Sequence, residues 1–120
     1  MNEQTKGILE TKSFTFAISI VNLSRFLVES RREYVLSKQL LRAGTSIGAN
    51  ISEAQFAQSK ADFGTKMQIS LKEANETRYW LRLLQATGFL QTEEANSYLV
   101  ECNELINMLV STCKKVLPRN

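Results

Sequence analysis

Three carboxylates, Glu53, Glu73 and Glu76, sit on segments with helical periodicity, the setting in which helical bundles hold metal ions. Such sites normally add Glu-x-x-His pairs, and this chain contains no histidine. The same absence removes the commonest general base. The three carboxylates are therefore read as hydrogen-bonding and ion-pairing groups packed between helices, with Arg42, Arg78 or Tyr79 as partners. Lys72 and Glu76 also stand four apart, the neighbour spacing on a helix, in the less favourable order. Two cysteines, Cys102 and Cys113, return to one helical face but lie about 16 Å apart along the axis at ~1.5 Å per residue. That distance forbids a disulfide between them. Both fall on an apolar stripe, where a free thiol behaves as a small hydrophobe, and free thiols suit a reducing cytoplasm. No Cys-x-x-Cys pair, glycine-rich phosphate loop or nucleophile elbow occurs. These residues point away from an enzyme, and no catalytic, metal-binding or cofactor-binding residue is assigned.

The segment Arg42 to Ala54, RAGTSIGANISEA, is the most informative in the chain. Gly44 and Gly48 are four apart inside a helix, where each costs about 1 kcal/mol relative to alanine. With Ala43, Thr45 and Ala49 they form a face of small side chains that admits another helix at close range. Two readings remain open for that face: a tight crossing within one molecule, or a contact between subunits. Asn50 lies in the seam between Ile47 and Ala54, where a polar residue costs stability and can fix register and oligomeric state.

These groups are positioned by helices. A chain of 120 residues, 43% hydrophobic and 22% charged, fits one domain with a proper core. Its one proline is Pro118, so helices can run long. The first helix is predicted over about Thr11 to Ser30, with one stripe at Phe16, Ile20, Leu23 and Leu27. A second stripe holds Phe14, Ala17, Val21, Ser24 and Val28, giving an apolar arc wider than one bundle seam needs. The second helix is predicted over Ser37 to Ala57. The third runs from Lys60 to Thr87, with a Ser59–Asp62 cap and Gly88 as terminator. The fourth runs from Glu93 to Leu117, with Thr92 as N-cap, Glu93 and Glu94 at the positive end of the dipole, and Lys114 and Lys115 at the negative end. Links of three to six residues force antiparallel neighbours. The fold class is all-α, an antiparallel up-down four-helix bundle spanning residues 1–120 as one domain, with 1–10 and 118–120 frayed. The longest apolar stretch, Phe14 to Val21, is too short to span a bilayer, so no membrane partner is expected.

Net charge is +3, too mild to establish or exclude nucleic acid. Its distribution says more. One end of an up-down bundle collects Lys6, Lys12, Lys60, Lys66, Lys114, Lys115 and Arg119 against Glu3, Glu10 and Asp62, a local +4. The end bearing Arg31 and Arg32 is offset by Glu29, Glu33, Glu93 and Glu94.

Gln39 to Ala54, QLLRAGTSIGANISEA, followed by Asp62 to Leu84, DFGTKMQISLKEANETRYWLRLL, resembles the bacterial four-helix-bundle family encoded in intervening sequences of large-subunit ribosomal RNA genes, often labelled "S23 ribosomal protein". The likeness covers about Phe14 to Val110. It implies an up-down bundle, commonly a homopentamer shaped like a short barrel. Related proteins of diversity-generating retroelements act as accessory factors that bind a reverse transcriptase and nucleic acid. The label reflects gene position and says little about activity.

Two functional expectations follow. The first is a non-enzymatic oligomer that acts as an accessory factor and binds RNA or DNA through a basic rim at Lys60, Lys66, Lys114 and Lys115, where five copies would gather about +20. The second is a protein–protein interaction scaffold without nucleic acid. In both, Arg42, Gly44, Gly48, Asn50, Glu53, Glu73 and Glu76 serve polar packing or the subunit interface, the location is cytoplasmic, and no cofactor is involved.

Overall fold

Four helices account for nearly all of the chain, and no strand occurs among the described residues. The structure, a computed structural model, describes residues 3–116, without the side chains of Glu3, Thr5 and Lys6. The helices are α1 (Glu3–Arg31), α2 (Leu36–Ala54), α3 (Lys60–Ala86) and α4 (Thr92–Val116). At ~1.5 Å per residue, the 29 residues of α1 match the 44 Å long axis of the molecule.

Cross-helix bonds fix an antiparallel register. Ser24 Oγ donates to the Ser37 carbonyl (3.2 Å), Ser70 Oγ to the Ile47 carbonyl (2.8 Å), and Cys102 Sγ to the Ala74 carbonyl (3.3 Å). Each satisfies a buried polar group that would otherwise cost ~1–3 kcal/mol. Consecutive helices pack closely, while α1 and α4 touch least, so the bundle is most open along that seam.

The core follows the predicted stripes. Phe16, Ile20, Leu23 and Leu27 of α1 meet Leu40 and Ile47 of α2, Met67, Leu81 and Leu84 of α3, and Leu105 and Leu109 of α4. Burying each such side chain contributes about 1.5–3 kcal/mol. Two boundaries differ from expectation. Residues 3–10 are helical rather than frayed, because Leu9 extends the α1 stripe by about two turns and is fully buried. In α2, Ile51 fills the core where the predicted stripe placed Asn50, and the helix stops at Ala54, three residues early. The expected fraying of 118–120 lies outside the described residues.

The helix ends show why the chain turns where it does. Ser59 Oγ accepts the Asp62 N–H (3.0 Å), the expected cap of α3. Gly88, at φ 84°, closes the same helix: Phe89 N–H donates to the Leu84 carbonyl and Gly88 N–H to the Gln85 carbonyl. That bond pair is a Schellman motif, which needs a left-handed residue at Gly88. Ala95 N–H donates to the Gln91 carbonyl and Glu94 Oε1 accepts the Gln91 N–H, so Gln91 rather than Thr92 is the N-cap of α4. The α1–α2 turn passes through Arg32 at φ 55°. Arg31 reaches across the same end, donating to the Phe89 and Gly88 carbonyls (2.9 and 3.1 Å) and lying 5.4 Å from the Phe89 ring centroid.

Candidate functional site

Three regions compete as the functional surface: the α1–α2 face, the charged seam between α2 and α3, and the lysine-bearing end.

The α1–α2 face begins with the glycines. A Cβ added at Gly44 would stand 2.7 Å from Ile20 Cγ2 and 2.9 Å from Cγ1, and one at Gly48 would stand 3.3 Å from Ser13 Oγ. Both glycines thus serve the crossing of α2 over α1 within one molecule, which decides for Gly44 the alternative left open by the sequence. Gly48 is only half-buried and also reaches the outer surface. There it lines an open groove of about 670 Å³ with Phe14, Ala17, Thr45, Ala49 and Ser52. Along α1 the outward positions Phe14, Ile18, Val21, Arg25 and Val28 step by four and three, the spacing of a coiled-coil seam. Phe14 is 69% exposed and Ile18 49%. Along α2 the outward positions Leu41, Thr45, Gly48 and Ser52 step in the same way. Of the predicted second stripe of α1, Ser24 is buried and Ala17 and Val21 are half-buried, while Phe14 and Val28 stay exposed and Ile18 joins them beside a floor of small residues.

On the α2–α3 seam Arg42 reaches Glu73 (3.2 Å) and Glu76, and Glu76 Oε2 also accepts the Trp80 Nε1–H (3.0 Å). The Glu73 side chain is 16% exposed and that of Glu76 31%, so both carboxylates are half-buried and paired, as the sequence predicts for them. Arg78 instead bonds the amide oxygens of Asn75 and Asn103. Two predictions need correcting. The Glu53 side chain is 62% exposed, on the outward side of the last turn of α2 opposite buried Ile51 and Ala54, 3.9 Å from Lys66. Asn50 is half-buried but bonds the Ser46 carbonyl of its own helix (2.8 Å), so it joins no other element.

At the lysine-bearing end the charge is smaller than the sequence count. Lys12 pairs with Glu104 (3.1 Å) and Lys66 with Glu53. Both acids belong to this end and were left out of the +4, since only the register of the folded helices brings them there. Adding Glu53 and Glu104 to the residues counted from the sequence leaves seven cations against five acids, a local +2. Lys6, Arg119 and Glu3 lie outside the described side chains. Lys60, Lys114 and Lys115 are exposed and form no ion pair with a described side chain. The turn from Gln55 to Ser59 on the same end holds Phe56, 85% exposed.

Two further features bear on chemistry. Burial pushes the Cys102 thiol up to about 12, against a smaller opposing pull from Arg78, and burial also raises Cys113, so neither thiol has thiolate character. Among the described residues no three His, Cys, Asp or Glu side chains come together as a metal site would require. No helix among them is long and apolar enough to cross a membrane. Sequence reading also missed Glu33, a buried carboxylate that accepts the N–H groups of Val35, Leu36 and Ser37 at 3.1, 2.8 and 2.7 Å. Burial alone would raise its pKa. The three backbone bonds and the Ser37 hydroxyl outweigh it, so the net shift is downward. The signal was an acid just before the first turn of a helix that lacks a Ser, Thr, Asp or Asn cap.

The fold is an all-α four-helix bundle with exposed apolar side chains on one face and its polar clusters engaged in packing. Residues 7–111 match the 23S rRNA-intervening sequence protein family, and the chain belongs to that family. It is similar to a protein of unknown function from the S23 ribosomal protein family of Bacteroides thetaiotaomicron, whose crystal structure superimposes with a TM-score of 0.90. The two are 50% identical over 92% of this chain and 98% of that one. Comparison with curated proteins finds no match.

Proposed function

We propose that this protein is a non-enzymatic assembly module that self-associates through the outward face of α1 and α2. The observation that carries this reading is the row of exposed Phe14, Ile18 and Val28 with half-buried Val21, running beside the small-residue floor at Thr45, Gly48 and Ser52. Solvated apolar seams at coiled-coil spacing are a standing cost for a lone molecule and mark contacts. The family resemblance supports a closed ring of five copies, in which each subunit's face meets a different face of the next. Arg42, Glu73 and Glu76 hold α2 against α3, which keeps the docking face rigid. Free buried thiols favour a cytoplasmic setting. The test is light scattering on a Phe14→Glu, Ile18→Glu variant beside the parent chain. Both side chains are solvent-exposed, so the variant is expected to keep its helicity and fall to the mass of one chain. A variant that keeps the parent's assembled mass overturns this face as the contact.

A second reading is supported by Lys60, Lys114 and Lys115: the lysine-bearing end meets RNA or DNA. In a ring that end repeats around one rim, and phosphate binding responds to local charge density. The competing alternative is a scaffold that engages other proteins and no nucleic acid. Retention on heparin that vanishes with Lys114→Glu, Lys115→Glu favours nucleic acid, and absence of retention at low salt favours the scaffold.

A further inference from the structure

The lysine-bearing end carries one feature that its charge does not explain. Phe56 projects from the α2–α3 turn with 85% of its surface exposed, more than any other large apolar side chain described. The ring is not loosely hung. Phe56 N–H donates to the Glu53 carbonyl (3.0 Å) and Ala57 N–H to the Ala54 carbonyl (3.1 Å), while Gln58 N–H donates to Asp62 Oδ2 (3.2 Å). With Ser59 capping α3, the turn is pinned from both sides. A rigid backbone thus presents an aromatic face to solvent.

Cations share this end of the bundle by topology. Lys60 opens α3 four residues after Phe56. Cys102 lies level with Ala74 in the antiparallel α3–α4 pair, and about three turns further along each helix Lys114 and Lys115 come level with Ala61 and Asp62. Among the described residues these three lysines form no ion pair. Three of the opposing acids are otherwise engaged: Asp62 accepts the Gln58 N–H, Glu53 faces Lys66, and Glu104 holds Lys12.

We infer that this end binds single-stranded nucleic acid, with Phe56 stacking on an unpaired base and Lys60, Lys114 and Lys115 meeting the flanking phosphates. The inference rests on the nucleic-acid reading above and deepens it by naming the strand state. Charge alone serves that reading poorly, since Glu53 and Glu104 cut the +4 at this end to +2 per copy. Three phosphate contacts to a single strand give a salt slope of only about 2 per copy. A base stacked on an aromatic ring supplies the missing affinity, because every base has a face to stack and a duplex hides its faces. No base-edge reader accompanies the ring, so recognition is tolerant of sequence. The opposite end provides a comparison: Tyr34 is 60% exposed there, on an end where Glu29, Glu33, Glu93 and Glu94 offset Arg31 and Arg32.

The experiment measures binding of the full chain to a labelled single-stranded oligonucleotide and to its duplex at low salt, for the parent and for Phe56→Leu, Phe56→Trp and Tyr34→Leu, with light scattering on each. Leucine keeps the apolar bulk that a protein contact would use and removes the stacking face, and tryptophan keeps both. The expected result is preference for the single strand, about a tenfold loss in Phe56→Leu, retention in Phe56→Trp, and no change in Tyr34→Leu. Equal binding of strand and duplex with an unaffected Phe56→Leu overturns the stacking role and leaves the lysine reading standing. Absence of binding by the parent overturns both. A Phe56→Leu variant whose assembled mass changes while its affinity per assembled particle does not makes Phe56 a protein contact and overturns the inference.

Discussion

Replacing Gly44 with alanine is expected to destabilise the protein, although alanine is the better helix former. In an open helix the change would gain about 1 kcal/mol. Here the new methyl carbon would stand 2.7 Å from Ile20 Cγ2, 2.9 Å from Cγ1 and 3.2 Å from Cβ. Ile20 cannot step aside. It is fully buried, and a β-branched side chain in a helix has essentially one χ1 rotamer. The strain must pass to the α1–α2 spacing, at the ~1–3 kcal/mol typical of overpacked cores. The balance is a net loss of up to about 2 kcal/mol. Gly7 gives the contrast, since nothing lies within 4 Å of its added Cβ, and Gly7→Ala is expected to stabilise by up to about 1 kcal/mol. The assay is urea unfolding at one fixed protein concentration, because association contributes to apparent stability. Adding Ile20→Ala tests the cause: it removes both close carbons, so the Gly44→Ala penalty should shrink in that background by 0.5 kcal/mol or more, the scale of coupling between touching residues. A stabilised Gly44→Ala variant, or strictly additive effects, would refute the tight crossing and return Gly44 to the subunit interface.

Other consequences are similarly direct. Glu33→Gln keeps one acceptor oxygen but loses the charge that three N–H groups and the α2 dipole stabilise, so denaturant unfolding should show a loss of about 1–2 kcal/mol. Folding holds the Glu33 carboxyl below its ordinary value of 4.5. Its stabilisation is therefore present above that pH and lost as the pH falls through the lower folded value, and the variant should lack this part of the acid dependence. Arg32→Gly relieves a left-handed arginine at φ 55° and should raise the melting temperature, by up to about 1 kcal/mol in stability; a lowered melting temperature would mean that the arginine side chain holds the turn. Cys102, with its thiol pushed up to about 12, should resist alkylation at pH 8 in the native protein and react only on unfolding; rapid native labelling would contradict its burial.

The bundle was legible because it rests on periodicity, which a sequence displays directly. Phe16, Ile20, Leu23 and Leu27 announce a core stripe, Ser59 with Asp62 announces a cap, and Gly88 announces a stop. Their positions along the chain are enough, without knowledge of any neighbour. The surface was less legible because it depends on register between helices distant in sequence. The +4 at one end shrank once Glu104 met Lys12 and Glu53 met Lys66. Asn50 and Ile51 are adjacent, and only the rotation of α2 decides which of them fills the core. Phe56 looked like the continuation of an apolar helix, and the stop at Ala54 turned it into the most exposed large side chain described. Glu33 was read as one of several acids offsetting Arg31 and Arg32, whereas the backward turn through Arg32 carries its carboxylate onto the start of α2.

Self-association through the α1–α2 face is the claim on which the other functional readings depend. Native mass spectrometry of the parent chain at micromolar concentration tests it most directly. Five copies of the 13.6 kDa chain give about 68 kDa, and an assembly of that mass is the expected result. A single species of 13.6 kDa across the micromolar range would contradict it.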